Sequence, residues 1–591
     1  MRLILLVLSM YGYILYGNKK WKINAEFLPA IIFSSIGCIL FISGILNMMV
    51  LTYGCLFAGG ILLTAFYFIK RDIKIKEDFP FSLLFGFFFL LYLFCFLRDV
   101  RYFHYDNFSH WGLIIKNIFI NSCLPNFSDT IISYQAYPTG SACFIWYICK
   151  AIGYSEGNTL FAQAILILSY VLPLFAFAGN TGQKKKYLIS ALVVFECFSW
   201  ATYGSQYANG LYQLLVDVLL AALAMAAFAM VYYYQNHVMQ ALYCVVPLLT
   251  FEICIKNSGI MWVFAILAEL LYFAARSRCS KKDYFIIWAE ALGIPYLFKV
   301  LWDKHVALVF PGGITTTHAM SAENYAKVFS EKSMEDLKNI TSLFLEKTFS
   351  LKSTIILLIL IVLIVLCALI ITNVNTVKKI HMLFGFWFIV GVTIIYQSGN
   401  YVMYLLSMPL DEALRMAGYE RYVMTLEYFL VGIISVYALN MIRQYQRDEN
   451  ILKRCSMILP CVLFAILLIN KAAGIHDLWH YEEPQTGREA SRIRMDEMVE
   501  KYQLEEGKKS LIYIGDPDKD RDVGYRYYMC KYVLYSRDIR TINDEQISEL
   551  ETAMEYDYVI ILEHDDAVEH WLSNTSLPFI NNECLKNTEV Q

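Results

Sequence analysis

Charge is what this sequence has least of. Only 17% of its 591 residues are Asp, Glu, Lys or Arg, where soluble globular chains carry about a quarter. That shortage excludes an ordinary water-soluble globule. An excess of positive charge is missing too. The formal net charge is −3, so nothing answers to a polyanionic partner, and nucleic acid is excluded as a ligand class. Internal repeats and low-complexity tracts are absent. Most of the 15 cysteines lie inside apolar runs, where a thiol behaves as a small hydrophobe. Cys123, Cys530 and Cys584 fall on the outer side of the topology drawn below, too scattered for a disulfide framework.

What the chain does have is hydrophobic length. Apolar residues make up 58% of it, in runs of roughly 16 to 24 residues that match the thickness of a bilayer. About fourteen such runs can be drawn: Met1–Leu15, Ala25–Leu46, Met48–Ile69, Pro80–Leu97, Leu160–Gly179, Tyr187–Tyr203, Tyr212–Tyr234, Ala241–Ile255, Ser258–Ala275, Asp283–Trp302, Thr354–Thr372, Met382–Gln397, Tyr422–Met441 and Cys455–Ile469. Met1–Leu15 is followed by Lys19-Lys20-Trp21-Lys22 and by no small-residue cleavage site, so it reads as a helix rather than a signal peptide.

Basic clusters alternate along the connectors. They stand at Lys19/Lys20/Lys22, Lys70-Arg71 with Lys74 and Lys76, Lys184–Lys186, Arg276/Arg278 with Lys281-Lys282, Lys378-Lys379, and Arg443/Arg447 with Lys453-Arg454. The positive-inside rule puts these in the cytoplasm. The opposite side then receives Arg98–Gly140, Gly204–Leu211, Lys256-Asn257, Asp303–Ser353, Ser398–Arg421 and everything after Ile469. This holds together if Ser141–Gly153 lies in the outer interface instead of crossing.

Beyond Asn470 the long apolar runs stop. Ser510–Ile514 and Tyr556–Leu562 read as buried strands, Arg540–Ile542 as a short one, and Tyr525–Tyr535 and Asp544–Glu555 as helices. That order predicts a small α/β domain. Gly515-Asp516-Pro517-Asp518 matches neither a dinucleotide fingerprint nor a P-loop, so its glycine serves a turn. The expected fold is a polytopic α-helical membrane protein: a transmembrane domain over residues 1–470, with outward loops 98–140, 303–353 and 398–421, and an extracytoplasmic α/β domain over residues 471–591.

The densest polar cluster is His104-Tyr105-Asp106-Asn107-Phe108-Ser109-His110-Trp111, in the loop that ends at Tyr137-Pro138-Thr139-Gly140. Ionisable groups beside apolar helices are costly and mark sites. Asp106 can accept a proton from a hydroxyl. His110 lies one helical turn on, on the same face. Tyr105, Phe108 and Trp111 can shield the site or stack on sugar rings. The bland alternative is an interfacial aromatic belt. His104-x-Asp106-x3-His110 also has ligand types that suit zinc or manganese, with no third firm ligand in evidence, so no cofactor is expected. Pro138 and Gly140 predict a sharp turn that places Tyr137 at the pocket wall.

This organisation resembles the GT-C superfamily of membrane glycosyltransferases, and within it the protein O-mannosyltransferase and aminoarabinose transferase branch. That branch carries Asp-Glu and a Pro-Pro turn where this chain has Asp106-Asn107 and Pro138-Thr139. The resemblance implies a polyprenyl-phosphate sugar donor, an active site outside the plasma membrane, transfer with inversion to an extracytoplasmic acceptor, and Asp106 as general base. A donor phosphate needs cations, and Arg is favoured for bidentate contact. Lys256 and Arg421, on outward connectors, look like the basic residues at such positions in the superfamily; as plain interfacial anchors they would need no ligand. Asp217, in the first turn of an apolar run, is placed at the acceptor pocket, and Glu412 within reach of a sugar hydroxyl. His305 and His318 flank Pro311-Gly312-Gly313 in a long loop that could serve as a lid. The alternatives are a lipid-linked glycan polymerase or ligase, a non-catalytic envelope scaffold, and a transporter or flippase, which Glu196 and Glu290 near mid-span would serve.

The topology is directly testable. Single cysteines beside Asp106 and Asp544 should react with an impermeant maleimide in intact cells, and one beside Lys185 should not. The reverse labelling would invert the protein and remove the outward site.

Overall fold

Long apolar segments that cannot hydrogen-bond to lipid must close their backbone bonds internally, and here they do so as helices. The computed structural model describes residues 1–74, 78–135, 137–179, 181–202, 211–310, 322–350, 376–444, 481–515 and 524–587. Eight described helices are long and apolar enough to cross a membrane: Leu28–Ile45, Met49–Ile69, Glu156–Ala178, Val238–Ile255, Asn257–Arg276, Lys281–Val309, Phe384–Leu406 and Tyr419–Arg443. Phe81–Leu97, Gly140–Ile152 and Asp217–Tyr233 are shorter apolar helices. Leu51, Leu62, Phe81 and Phe88 turn outward and are more than half exposed, as side chains facing lipid would be. The chain is thus a helical, membrane-embedded protein. The expected spans Thr354–Thr372 and Cys455–Ile469 lie outside the described residues.

The described residues form two compact units. The first comprises residues 1–100, 118–124 and 136–479 and holds the long helices. Close approach between them rests on small residues. A Cβ on Gly12 of helix Arg2–Trp21 would lie 2.0 Å from the Gly60 carbonyl oxygen of helix Met49–Ile69, and one on Gly60 would lie 2.2 Å from that of Ser9. At this distance side-chain hydroxyls reach across. Thr64 Oγ1 donates to Leu8 O at 2.6 Å, and Tyr13 Oη to Leu56 O at 2.7 Å.

At the centre of the unit lies helix Asp217–Tyr233, buried from Asp217 through Tyr232. A helix apolar on every face belongs in a core. Its Ala221, Ala222, Ala224, Ala226, Ala227 and Ala229 leave room for helices Tyr419–Gln444, Val238–Ile255 and Glu156–Val171 to pack on it. Gly432 marks the tightest point, where an added Cβ would sit 2.2 Å from Met225 Cγ.

The second unit comprises residues 101–117, 125–135 and 480–591. Its sheet has strands β1 (Ser510–Tyr513), β2 (Ile539–Ile542), β3 (Tyr558–Ile561) and β4 (Cys584–Lys586) in the order β2-β1-β3-β4. β1 is parallel to both neighbours, with Ser510 opposite Ile539 and Tyr558, and β4 is antiparallel to β3. β1 and β3 are buried throughout, which is why they read as unbroken apolar runs. Leu511, Tyr513, Val559 and Ile561 share a core with Leu550, Val568 and Leu572. Asn543 and Gln546 form a reciprocal capping box on the 3₁₀ helix Asp544–Glu555.

Structure and expectation differ at four points. Residues 101–117 and 125–135 belong to the compact unit of the C-terminal residues. Segment 303–353 is largely helical where described, in Ile294–Val309, Ala322–Ser330 and Met334–Ser350. Segment 398–421 continues helix Thr376–Leu406 and adds the short helix Leu410–Leu414; Lys332 closes the longer helix by donating to the carbonyls of Tyr404, Leu405 and Met408 at 2.7–2.9 Å. Helix Gly140–Ile152, expected to lie along the outer interface, has eleven of its thirteen residues buried, against helices Leu28–Ile45 and Glu156–Val171. In each case hydropathy registered polarity or length, and packing partners distant in sequence set the outcome.

The Gly12–Gly60 contact gives a stability test. Gly60→Leu should destabilise the purified protein by about 1–3 kcal/mol through overpacking, read as a lower thermal midpoint in detergent. Gly54→Ala, where an added Cβ meets nothing within 4 Å, should leave the midpoint unchanged or raise it.

Candidate functional site

The central helix begins at Asp217, and its packing partners bring two cations to that residue. Helix Val238–Ile255 ends immediately before Lys256, and Arg421 lies in the first turn of helix Tyr419–Gln444. Lys256 Nζ is 3.1 Å from Asp217 Oδ1, and Arg421 Nε is 3.5 Å from Oδ2. The Asp217 side chain is 6% exposed and its two partners 20% and 22%, so the cluster is shielded but open on its cationic side. The Tyr422 ring lies beneath both cations, 5.6 Å from Lys256 Nζ and 5.3 Å from the Arg421 guanidinium carbon. Tyr396 adds a phenol close to Asp217 and Arg421.

The helix ends act on this electrostatics. Asp217 in a first turn and Lys256 after a last turn complement their helix dipoles, whereas Arg421, in a first turn, opposes its own. Two cations thus face one carboxylate at the helix ends.

Other expected residues belong to the same unit. Tyr137 is half-buried at the turn before helix Gly140–Ile152. Gly140 is needed there because an added Cβ would come within 2.6 Å of the Cys254 backbone oxygen, at the end of the helix that carries Lys256. Glu412 is half-buried on helix Leu410–Leu414 and close to Tyr404, which is also close to Arg421. His305 rests on Trp302 with ring centroids 5.4 Å apart, and His318 lies outside the described residues.

Asp106 belongs to the other unit. It sits, half-buried, on helix Tyr105–Ser109, and its backbone N–H donates to His104 Nδ1 at 3.1 Å. His110 closes the turn through its N–H to Asp106 O at 3.2 Å, so the two residues do share a helical turn. The His110 ring is buried between Trp111 and Tyr134, with Nδ1 2.9 Å from Ser109 Oγ.

The aromatics expected to shield a sugar are engaged otherwise. Tyr105 packs edge-on against Tyr528, and Phe108 against Tyr525 and Tyr532, all on helix Tyr525–Val533. Trp111 is buried. Tyr525 Oη donates to Phe103 O at 3.0 Å, Arg101 pairs with Asp496 at 3.1 Å, and Lys116 with Glu506 at 2.6 Å. Burial, then neighbouring Tyr134, Tyr528 and Asp106, push the Tyr105 phenol above its usual range and keep it neutral. Among the described residues no three His, Cys, Asp or Glu side chains come together as a metal set.

Sequence reasoning passed over Glu252 and Glu269. Both are fully buried inside long apolar helices, and neither carboxyl group has a hydrogen-bond partner among the described residues. An acid in an apolar span was the available signal. Glu196, noted from sequence, is buried beside Trp200 at 3.3 Å. Tyr422 could have been found as the aromatic next to Arg421.

No protein-family model, no curated protein and no solved structure matches this chain.

The cluster predicts an asymmetry. Asp217→Asn removes the carboxylate that both cations face and should cost about 1–3 kcal/mol of stability. Lys256→Met should cost less, because Arg421 still faces the carboxylate. Thermal unfolding of the two variants side by side measures the difference.

Proposed function

We propose that this protein is a membrane glycosyltransferase that moves a sugar from a polyprenyl-phosphate donor to an acceptor outside the plasma membrane. The observation that carries this reading is the Lys256–Asp217–Arg421 cluster. Its two cations, shielded and set at helix ends, are of the type that suits a phosphate leaving group. The GT-C resemblance supplies the rest of the assignment.

In the proposed step the acceptor oxygen bonds to the anomeric carbon as the bond to the donor phosphate oxygen breaks. The electron pair leaves on the polyprenyl phosphate, and the acceptor proton passes to a carboxylate, for which Asp106 is the candidate. Lys256 and Arg421 stabilise the departing charge in a low-dielectric setting. Asp217 holds the two cations in place between turnovers. Attack opposite the leaving group gives inversion. Glu412 and Tyr137 are assigned to the sugar and the pocket wall. A polymerase or ligase acting on lipid-linked glycans would use the same chemistry.

A second reading has its own support. Glu252 and Glu269, buried without partners, are what a proton- or ion-coupled transporter of lipid-linked glycan would place within its helices.

Two measurements separate these readings. Lys256→Met and Arg421→Met should each weaken donor binding about 10- to 100-fold. Asp106→Asn should slow transfer about 10²- to 10⁴-fold while donor binding and thermal midpoint stay near wild type. Normal transfer in Asp106→Asn, or loss of lipid-linked substrate translocation with transfer intact, would overturn the transferase assignment.

A further inference from the structure

Glu269 is a carboxyl group that the donor chemistry does not use. It lies within the apolar helix Ile260–Arg276, fully buried, and neither of its oxygens has a hydrogen-bond partner among the described residues. A buried polar group without a partner is rare, and an ionisable one inside a membrane helix marks a site. Its separation from the donor cluster follows from the central helix. Tyr232, which is close to Glu269, stands fifteen residues beyond Asp217 on helix Asp217–Tyr233, about 22 Å at the helical rise.

Four helices meet around this carboxyl. Tyr232 comes from the central helix, Tyr437 and Asn440 from helix Tyr419–Gln444, Phe384 and Gly385 from helix Thr376–Leu406, and Tyr272 from the turn after Glu269. Tyr232 and Tyr437 are each close to both Glu269 and Tyr272. Asn440 Nδ2 donates to Tyr232 Oη at 3.2 Å. Tyr437 Oη has no partner among the described residues; it sits over Gly385, where a Cβ would come within 2.5 Å of it. A carboxyl and a phenol thus stand close together, each unsatisfied. Helices Val238–Ile255 and Lys281–Trp288 also pack on this helix, and among the described residues they bring no charged group to Glu269.

Packing decides what the carboxyl can hold. The rings about it are in contact: Tyr272 stacks on Phe384 with centroids 3.6 Å apart, Tyr232 meets Tyr437 edge-on at 4.9 Å, and Phe384 lies 5.6 Å from Phe388. A solute needs a cavity of several hundred Å³, and rings at these separations leave none between them. A metal ion needs several oxygen ligands at once, and among the described residues no three His, Cys, Asp or Glu side chains come together. A proton needs neither space nor a ligand set. The carboxylic acid keeps it and donates it to one acceptor, whereas an unpaired carboxylate in an apolar place is far costlier. The Tyr437 phenol oxygen is such an acceptor. A route for exchange lies on the same helix: Tyr272 and Arg276 follow Glu269 at three and seven residues, on one face, and are close to each other. We infer that Glu269 is a proton-binding site, loaded from the basic end of the helices. For its use the inference rests on the transporter reading, for which it names the ion and the residue.

The test is infrared difference spectroscopy of the purified full-length protein in detergent, recorded as the pH is stepped upward from mildly acidic. The wild type should show the carbonyl stretch of a protonated carboxylic acid, fading as the pH rises. Glu269→Gln should lack that band, and Glu252→Gln should keep it. Tyr437→Phe, which removes the acceptor, should shift its frequency. Sodium added at fixed pH should leave it unchanged. Thermal midpoints show which variants remain folded; if Glu269→Gln does not, Glu269→Asp, which keeps an acid, should move the band. Identical spectra in the wild type and the folded Glu269 variant, a band that persists at every pH the fold survives, or loss of the band on adding sodium would overturn the inference. The spectra read the site and not transport. A titrating band in a protein that translocates no lipid-linked glycan would remove the transporter reading and leave this one; translocation without the band would do the reverse.

Discussion

The helical unit depends on how closely other helices can approach Asp217–Tyr233. Between helices in lipid no hydrophobic force remains, since lipid tails are as apolar as leucine, and packing must supply the attraction. The run of alanines on this helix supplies it by letting three neighbours come close. The same contact fixes chemistry. Because helices Val238–Ile255 and Tyr419–Gln444 lie against the alanine surface, one ends and the other begins beside Asp217. Lys256 and Arg421 then have a carboxylate to meet. Without the close packing there would be three unrelated helix termini.

The Asp217 cluster also illustrates how a protein keeps cations in a shielded place. A lone buried charge is prohibitively costly, and a matched pair roughly breaks even. Here the carboxylate is the most buried member and the cations remain about a fifth exposed. Tyr422 offers its ring face to both. The carboxylate thus faces both cations while each of them stays partly exposed. Glu252 and Glu269 follow the opposite logic, being carboxyl groups buried among apolar residues with no partner among the described residues.

In the C-terminal unit the governing contact is aromatic. Tyr105 and Phe108 belong by sequence to a segment hundreds of residues upstream, yet they complete the packing of helix Tyr525–Val533. The upstream segment is thus a structural part of the α/β unit. Its aromatic side chains have a packing role that accounts for their density, and Asp106 is held on a short helix whose geometry this packing fixes.

The sequence by itself determined the membrane class, most of the helices, the strand segments of the α/β unit and the membership of Lys256, Asp217 and Arg421 in a shortlist. These follow from local physics. Apolar length requires helices in lipid, and short β-branched runs between turns favour strands. β4 and helices Ala490–Tyr502 and Asp566–Asn574 gave no comparable signal, because their identity comes from what they pack against. Only the tertiary structure decided that Asp217 is the shared counterion of two cations, that residues 101–117 belong with the C-terminal unit, and that helix Gly140–Ile152 is buried. Each is a meeting of segments far apart in the chain. A meeting of that kind is set by shape and by the placing of small residues such as Gly140 and Ala224. Composition and periodicity record which side chains are present and which face they share, and carry no information about their distant partners.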